Sequence, residues 1–211
     1  MKLSFSKKEI YELFFSMIII SLIFTIIKYK TNIFNIYFFF NDLIFKFAID
    51  FLLSFFIIGF SFLIHELAHK ITAEKFKLNS GYISNKEMLF FGLITSFFGF
   101  VFLAPGAVFI KGNISNKKNA IISLAGPLSN IILAVFFISL FVFLNLYNLF
   151  QSKVIIFLMI SLIKINSFFG FFNFLPFYGF DGYQIFKINK KVYIIFFSLS
   201  LIVWLYTLIF Y

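Results

Sequence analysis

The sequence predicts an all-α polytopic membrane protein with about five full transmembrane helices and a re-entrant hairpin or short β element around residues 89–110. Two observations indicate this fold class. The chain of 211 residues is 62% hydrophobic and only 12% charged, and a soluble domain of that size has too little interior to hide so much apolar surface. Several nearly uncharged runs also reach the length of about 18 residues that a helix needs to cross a bilayer.

Five apolar runs are the candidates for the transmembrane helices, at residues 10–27, 43–73, 120–146, 154–174 and 192–211. The first run could instead belong to a signal peptide, but it is long for that role and no small-residue cleavage site follows it. Asp50 and Lys46 lie four residues apart near the start of the second run, and their spacing predicts an ion pair within one helix. We expect one membrane-embedded domain covering residues 1–211.

Two segments between the second and third runs interrupt the helical pattern. Residues 73–87 are polar and predict a surface loop with a short strand around residues 82–84. Residues 89–110 are apolar but are broken by two glycines and by the sequence Ala-Pro-Gly at 104–106. Irregular backbone at membrane depth is tolerated where it is buried in protein or lines a water-filled cavity. This second segment therefore predicts a re-entrant element beside a functional site.

The charged residues exclude some classes of function. The net charge of +10 comes from 18 lysines, and no arginine is present. These lysines lie between the apolar runs rather than on one dense basic face, which favours contact with anionic lipid headgroups over nucleic-acid binding. The chain has no cysteine, which excludes disulfides and thiolate metal ligands.

The second run ends in the sequence His65-Glu66-Leu67-Ala68-His69, which contains the two histidines of the chain. Residues four apart lie on the same face of a helix, so both imidazoles can bind one metal ion with Glu66 beside them. The histidines could instead be hydrogen-bonded polar residues in a helix bundle. Ionisable groups in or beside an apolar transmembrane segment are energetically costly and usually functional, so metal binding is the favoured interpretation.

The metal site needs a third protein ligand. A catalytic zinc usually has three protein ligands and leaves a fourth position open for water. Because no third histidine or cysteine exists, that ligand must be a carboxylate, and the candidates are Glu9, Glu12, Asp42, Asp50, Glu74, Glu87 and Asp181. Asp181 is favoured because a proline and two glycines break the helix around it, although Asp-Gly is also a common turn pair.

The lysine distribution bears on whether Asp181 can reach the histidines. An even number of membrane crossings must separate them, which requires residues 89–110 to enter and leave on one side. Most lysines then lie on one side of the membrane, whereas a crossing would divide them evenly. The usual excess of lysine in the cytoplasm favours the re-entrant arrangement. It also predicts that the N-terminus and the metal site lie on the cytoplasmic side of the cell membrane.

Three motifs together resemble the signatures of the site-2 protease family, peptidase family M50. They are HELAH at 65–69, AGP at 125–127 and NxxPxxxxDG at 173–182. The resemblance covers roughly residues 51–187, which is the expected catalytic core, and the runs at 10–27 and 192–211 flank it. The short chain, without an inserted PDZ domain or a C-terminal CBS pair, is similar to minimal prokaryotic and archaeal members. It departs from many of them in the stretch 89–110, which those members lack or shorten.

The resemblance implies an intramembrane zinc metalloprotease with one Zn²⁺ per chain. It implies that His65, His69 and Asp181 bind zinc and that Glu66 is the catalytic acid/base. It also implies that Asn173 helps to hold the substrate backbone or the oxyanion. The expected substrates are membrane proteins cleaved within or near their transmembrane segments, as in regulated intramembrane proteolysis.

A transmembrane substrate must unwind locally before its carbonyl can be attacked. The freed backbone groups then need hydrogen-bond partners, which an extended segment of the enzyme could supply by strand addition. Candidates for that edge are Ala107, Val108 and Phe109, or the alternative stretch 81–83. Asn130, close to the AGP motif, is a candidate substrate-binding residue, although an interhelical hydrogen bond would also explain it.

The main alternative is a membrane metal-binding protein or transporter that uses the same His/Asp site without proteolysis. Transporters usually place several ligands along a path and often contain internal repeats, and the sequence shows neither feature. A bis-histidine haem site is disfavoured because His65 and His69 share one helix face. A purely structural bundle would leave Glu66 without a role.

Overall fold

The computed structural model describes residues 4–29, 43–101, 105–149 and 152–211. Its elements in chain order are α1 (Lys7–Tyr29), α2 (Leu43–Ser54), a π-helical turn (Phe55–Gly59), α3 (Phe60–Lys75), β1 (Asn79–Ser84), α4 (Lys86–Phe97), β2 (Gly106–Lys111), α5 (Asn116–Leu146), α6 (Lys153–Asn173), α7 (Asp181–Ile188) and α8 (Lys190–Phe210). The predicted fold class is confirmed, because the described chain is mainly helical with a single short sheet.

Five helical segments within the described ranges are long and apolar enough to cross a membrane. They are Lys7–Tyr29, Leu43–Lys75, Asn116–Leu146, Lys153–Asn173 and Lys190–Phe210, and each coincides with one of the predicted runs. Many large apolar side chains on these helices face outward, for example Phe56 and Ile209. Such surfaces are expected where the surrounding solvent is lipid rather than water. The protein is therefore a multi-spanning membrane protein.

The segment 89–110 does not form a spanning helix. Its helix α4 has 12 residues, which corresponds to about 18 Å and is shorter than the hydrocarbon core of about 30 Å. The strand β2 then pairs with β1 in a two-stranded sheet. A Cβ atom on Gly106 would fall 2.3 Å from the Ile83 carbonyl oxygen, so the start of β2 lies at the end of β1 and the strands are antiparallel. Ala104, which belongs to the predicted irregular element, lies outside the described residues.

The described residues form two compact units. One unit contains residues Ser4–Leu63 and Gly81–Phe109, with α1 packed against α2, the π-helical turn and α4. Asp50 of α2 accepts hydrogen bonds from Lys28 Nζ at 2.7 Å and from the Tyr29 hydroxyl at 2.5 Å, both on α1. The structure thus gives Asp50 partners from a neighbouring helix, where the sequence spacing predicted Lys46.

Helix α1 also holds strand β1 within the same unit. The Tyr82 backbone N–H donates to Glu9 Oε1 at 3.1 Å, and the Ser84 hydroxyl donates to Glu12 Oε2. The Tyr82 and Ser16 hydroxyl oxygens lie 2.8 Å apart and share a hydrogen bond. These partners satisfy polar groups of α1 that would otherwise be buried without hydrogen bonds.

The other unit contains Ile64–Ser80 and Ile110–Tyr211, and it includes most of α3 together with α5, α6, α7 and α8. Helix α5 packs against α6 and α7, and α8 packs against α6 and α7. The first turn of α7 lies directly against the end of α6, because a Cβ on Gly182 would fall 2.2 Å from the Phe174 carbonyl oxygen. Only glycine permits this approach, and the approach fixes the position of the preceding residue, Asp181.

Candidate metal centre

Helix α3 places both histidines on one face, in the unit that contains α5 and α7. The Nε2 atoms of His65 and His69 lie 3.1 Å apart. Oδ2 of Asp181, the first residue of α7, lies 3.3 Å from His65 Nε2 and 3.2 Å from His69 Nε2. The structure thus brings the three predicted ligands together, and both imidazoles are buried.

The spacing of these donor atoms fits a zinc ion. Zinc binds imidazole nitrogen and carboxylate oxygen at about 2.0–2.2 Å, so neighbouring corners of a tetrahedral site lie about 3.3–3.5 Å apart. The separations of 3.1, 3.3 and 3.2 Å between the three donor atoms are close to that value. Two imidazole lone pairs that face each other and a carboxylate at this distance repel one another unless a cation or protons lie between them.

The far side of each imidazole is held by a hydrogen bond. His69 Nδ1 lies 2.7 Å from the Ile122 carbonyl oxygen, and His65 Nδ1 lies 2.7 Å from Asn130 Oδ1. A carbonyl oxygen can only accept, so His69 must donate from Nδ1 and keeps the lone pair of Nε2 for a metal. Partners of this kind fix the ring orientation and tautomer of histidine ligands.

Gly126 of α5 lies directly against the Nε2 side of both imidazoles. A Cβ atom at this position would fall 2.3 Å from His69 Nε2 and 2.6 Å from His65 Nε2, which is far inside van der Waals contact. The next residue, Pro127, lies inside α5, where it cannot donate the usual backbone hydrogen bond. The absence of a side chain at Gly126 therefore creates the space in which both Nε2 atoms can face Asp181.

Glu66 lies next to His65 and is only 6% exposed. Its Oε2 atom has no hydrogen-bond partner among the described residues. The carboxylate is close enough to His65, His69 and Asp181 to interact with them electrostatically. An unpaired buried carboxylate oxygen is costly, and such atoms are found where a reacting group or water completes the site.

The surroundings of Asp181 favour the ionised form of its carboxylate. Burial alone would raise the pKa of Asp181, but positively charged imidazoles at His69 and His65, which donate hydrogen bonds to the carboxylate, outweigh that effect and lower the pKa to about 2. Asp181 also lies in the first turn of α7, where the helix dipole favours a negative charge. A metal cation binds the deprotonated carboxylate, so this environment is compatible with a ligand role.

The other predicted site residues lie in different places. Asn173 is the last residue of α6, and its side-chain amide donates to the Phe169 carbonyl at 3.0 Å. Ala107, Val108 and Phe109 lie on β2, in the unit without the histidines. Of these three, Ala107 and Phe109 are exposed and Val108 is partly buried.

Two contacts of the site were missed from the sequence. Asn166 of α6 accepts a hydrogen bond from Asn130 at 2.9 Å, so it is linked to His65 through Asn130. A polar residue inside an apolar run was the signal that could have found it. The hydrogen-bond partner of His69 is the backbone carbonyl oxygen of Ile122, and a pattern of residue types does not predict a backbone partner.

Comparison with known proteins agrees with these motifs. The sequence profile of peptidase family M50 matches residues 53–155. A protein of Methanocaldococcus jannaschii, whose name describes it as a candidate zinc metalloprotease, is 34% identical over 142 residues. The chain is thus similar to peptidase family M50 over about half of its length. The family profile includes the first two motifs of this chain and ends before Asp181, so the place of Asp181 depends on the third motif and on geometry.

The extent of these matches is limited. The aligned part covers 66% of this chain and 65% of the archaeal relative, which is slightly less than two thirds of that relative's length. No solved structure matches the chain.

Replacement of Gly126 by alanine should disrupt the metal site. The added methyl group would overlap both Nε2 atoms, and the rings cannot retreat without breaking the bonds at Nδ1. We expect at least about 100-fold weaker zinc binding, beyond the 10–100-fold typical of outer-shell changes. Competition with a chromophoric chelator on detergent-purified protein measures this affinity.

The matched control is Gly81→Ala, whose added methyl group would meet Glu9 at an ordinary contact distance of 3.8 Å. This variant should bind zinc like the wild type. Zinc binding by Gly126→Ala within about threefold of the wild type would show that the two histidines do not form the metal site in this packing.

Proposed function

We propose that this protein is an M50-type, zinc-dependent intramembrane protease that hydrolyses peptide bonds within or near transmembrane segments of membrane proteins. The observation that carries the proposal is the triangle of His65, His69 and Asp181, with the Glu66 carboxylate nearby, whose Oε2 atom has no hydrogen-bond partner among the described residues. We further propose that residues 1–211 act as one protease domain with a catalytic core at about 51–187, and that its cleavage is regulatory.

Each residue of the site has a separate task in this mechanism. His65 and His69 would hold the metal with their Nε2 atoms, and Asp181 with its Oδ2 atom. A bound zinc ion would supply a Lewis acid that activates water and polarises the scissile carbonyl. Glu66 Oε2 accepts the proton of the attacking water and then delivers it to the leaving amide nitrogen. Asn173, near the end of α6, is proposed to orient the substrate backbone or to donate to the oxyanion.

The location of the ligands supports a substrate that comes from the membrane. His65, Glu66 and His69 lie within the apolar segment Leu43–Lys75, which is one of the five candidate spans. A peptide bond reaches such a site most directly from another membrane-embedded segment. The lysine distribution supports a site that opens toward the cytoplasm, with the N-terminus on the same side of the cell membrane.

Strand β2 is the proposed docking edge for the unwound substrate. The backbone N–H of Tyr82 on β1 already donates to Glu9, so the outer side of β1 is occupied at this position. Strand β2 alternates partly buried and exposed residues, and Phe109 is 58% exposed. Substrate backbone added to this edge would find partners for its freed N–H and C=O groups. These contacts favour Ala107, Val108 and Phe109 over the stretch 81–83.

Glu66→Gln tests the catalytic assignment. The variant keeps the size and polarity of the side chain but cannot accept a proton, so cleavage should fall by a factor on the order of 10²–10⁴. Purified protein would be incubated in detergent with single-span model substrates, and mass spectrometry would identify the products.

Zinc content should be the same in Glu66→Gln and in the wild type, because Glu66 is not a proposed ligand. A chelator should abolish wild-type cleavage, and added zinc should restore it. Cleavage that survives the chelator, or a Glu66→Gln variant as active as the wild type, would refute the protease and favour a metal-binding protein or transporter.

Proline substitutions on β2 test the docking edge. Proline removes a backbone N–H and cannot extend a strand ladder, so substitution at 107, 108 and 109 in turn should lower cleavage at least about tenfold at one or more positions. Phe109→Ala is the matched control, because it keeps the backbone N–H and removes only the exposed ring. Full cleavage by all three proline variants, with zinc content unchanged, would exclude β2 as the edge.

A further inference from the structure

A chain of buried hydrogen bonds leads from His65 into helix α6. His65 Nδ1 lies 2.7 Å from Asn130 Oδ1, Asn130 Nδ2 donates to Asn166 Oδ1 at 2.9 Å, and Asn166 Nδ2 donates to the Leu162 carbonyl at 2.9 Å. Asn130 is 0% exposed and Asn166 is 1% exposed. Two amides in series therefore connect a proposed ligand on α3 to the backbone of α6, all within one compact unit.

The last link of the chain sets the direction of every other bond. The Leu162 carbonyl can only accept, so Asn166 must present its NH₂ group to Leu162 and its carbonyl oxygen to Asn130. Asn130 then donates to Asn166 through Nδ2, and its Oδ1 atom faces His65. His65 must therefore donate from Nδ1, which leaves the lone pair on Nε2, the atom that faces Asp181.

We propose that Asn130 and Asn166 are positioning residues that hold the proton of His65 on Nδ1 and so keep Nε2 available for the metal. The inference rests on the proposed function and adds two residues to it. It places Asn130 behind the imidazole of His65, whereas the sequence suggested that Asn130 contacts the substrate. Buried amides whose oxygen and nitrogen are both engaged have little capacity left for a substrate backbone.

Loss of Asn166 would remove the hydrogen bond that links the Asn130 amide to α6. Side-chain rotamers in which Asn130 presents its NH₂ group to His65 would then become more accessible. That contact requires an acceptor at Nδ1 and shifts the ring proton to Nε2, where it blocks the metal. A simple interhelical bond between α5 and α6 would stabilise the packing but would not impose this direction.

The test compares zinc affinities of four variants in detergent, measured by chelator competition and by the visible spectrum of the cobalt-substituted protein. Asn130→Leu and Asn166→Leu should bind zinc about 10–100-fold more weakly, as is usual when the outer partner of a ligand is lost. Asn130→Asp should stay within about threefold of the wild type, because a carboxylate can only accept from Nδ1 and carboxylate–histidine–zinc contacts are common.

Ser167→Ala is the matched control. Ser167 is the neighbour of Asn166 on α6, is fully buried, and shares a hydrogen bond of 2.9 Å with Thr207 of α8. Ser167 joins two helices by a buried hydrogen bond, as Asn166 does, but it is not part of the hydrogen-bond chain that leads to His65. The control should lose some thermal stability and keep wild-type zinc affinity and the wild-type cobalt spectrum.

Thermal unfolding of the metal-free proteins separates folding from metal binding. Asn130→Asp places a charge in the helix interface, so its stability should fall while its zinc affinity is kept. Equal affinity losses in Asn130→Asp and Asn130→Leu would overturn the proposal, because packing alone would then explain both. Zinc affinities of Asn130→Leu and Asn166→Leu equal to that of Ser167→Ala would also overturn it.

If a variant fails to fold, a measurement on the wild-type protein tests which nitrogen of His65 carries the proton. His65 and His69 are the two histidines of the sequence, so ¹⁵N-histidine NMR of the zinc-loaded protein reports on these rings alone. Both should carry a proton on Nδ1 and bind metal through Nε2, and coordination of His65 through Nδ1 would refute the proposal. A wild type that binds no zinc would instead refute the proposed function itself.

Discussion

The close approach of helix α5 to the histidine face of α3 is the contact on which the site depends. Gly126 leaves room for both Nε2 atoms, and the Ile122 carbonyl and Asn130 hold the opposite side of the two rings. One helix thus supplies both the space in front of the ligands and the hydrogen bonds behind them. Each ring is therefore held in one orientation, with its Nε2 atom toward Asp181.

The position of Asp181, the third proposed ligand, depends on a second close approach. Asp181 begins α7, and Gly182 allows that helix to start against the end of α6. The carboxylate then reaches both imidazoles at 3.2–3.3 Å. Burial of two imidazoles and two carboxylates together is unfavourable without a compensating charge, and a divalent cation would provide it. The Oε2 atom of Glu66, which has no hydrogen-bond partner among the described residues, is compatible with the same conclusion, because the proposed proton transfer would use it.

The sequence predicts the membrane spans and the proximity of His65, His69 and Asp181 well, because both follow from strong and simple signals. Apolar runs define the helices by their length, and His65 and His69 share a face because of helix geometry. The sequence favours Asp181 as the third ligand because few carboxylates are available and because most lysines then lie on one side of the membrane. The sequence predicts contacts between helices poorly. Asp50 is paired with α1 rather than with Lys46, and the link between Asn130 and Asn166 joins residues whose spacing along the chain carries no periodic signal.

Zinc K-edge X-ray absorption of the purified protein tests the central claim, that His65, His69 and Asp181 hold one metal ion. We expect one zinc per chain in a four-coordinate shell of two imidazole nitrogens and two oxygens at about 2.0–2.1 Å. Asp181→Ala should change that shell, whereas Asp50→Ala should leave it unaltered. Absence of bound zinc, a shell with fewer than two imidazoles, or a spectrum unaffected by Asp181→Ala would show that these three residues do not hold one zinc ion.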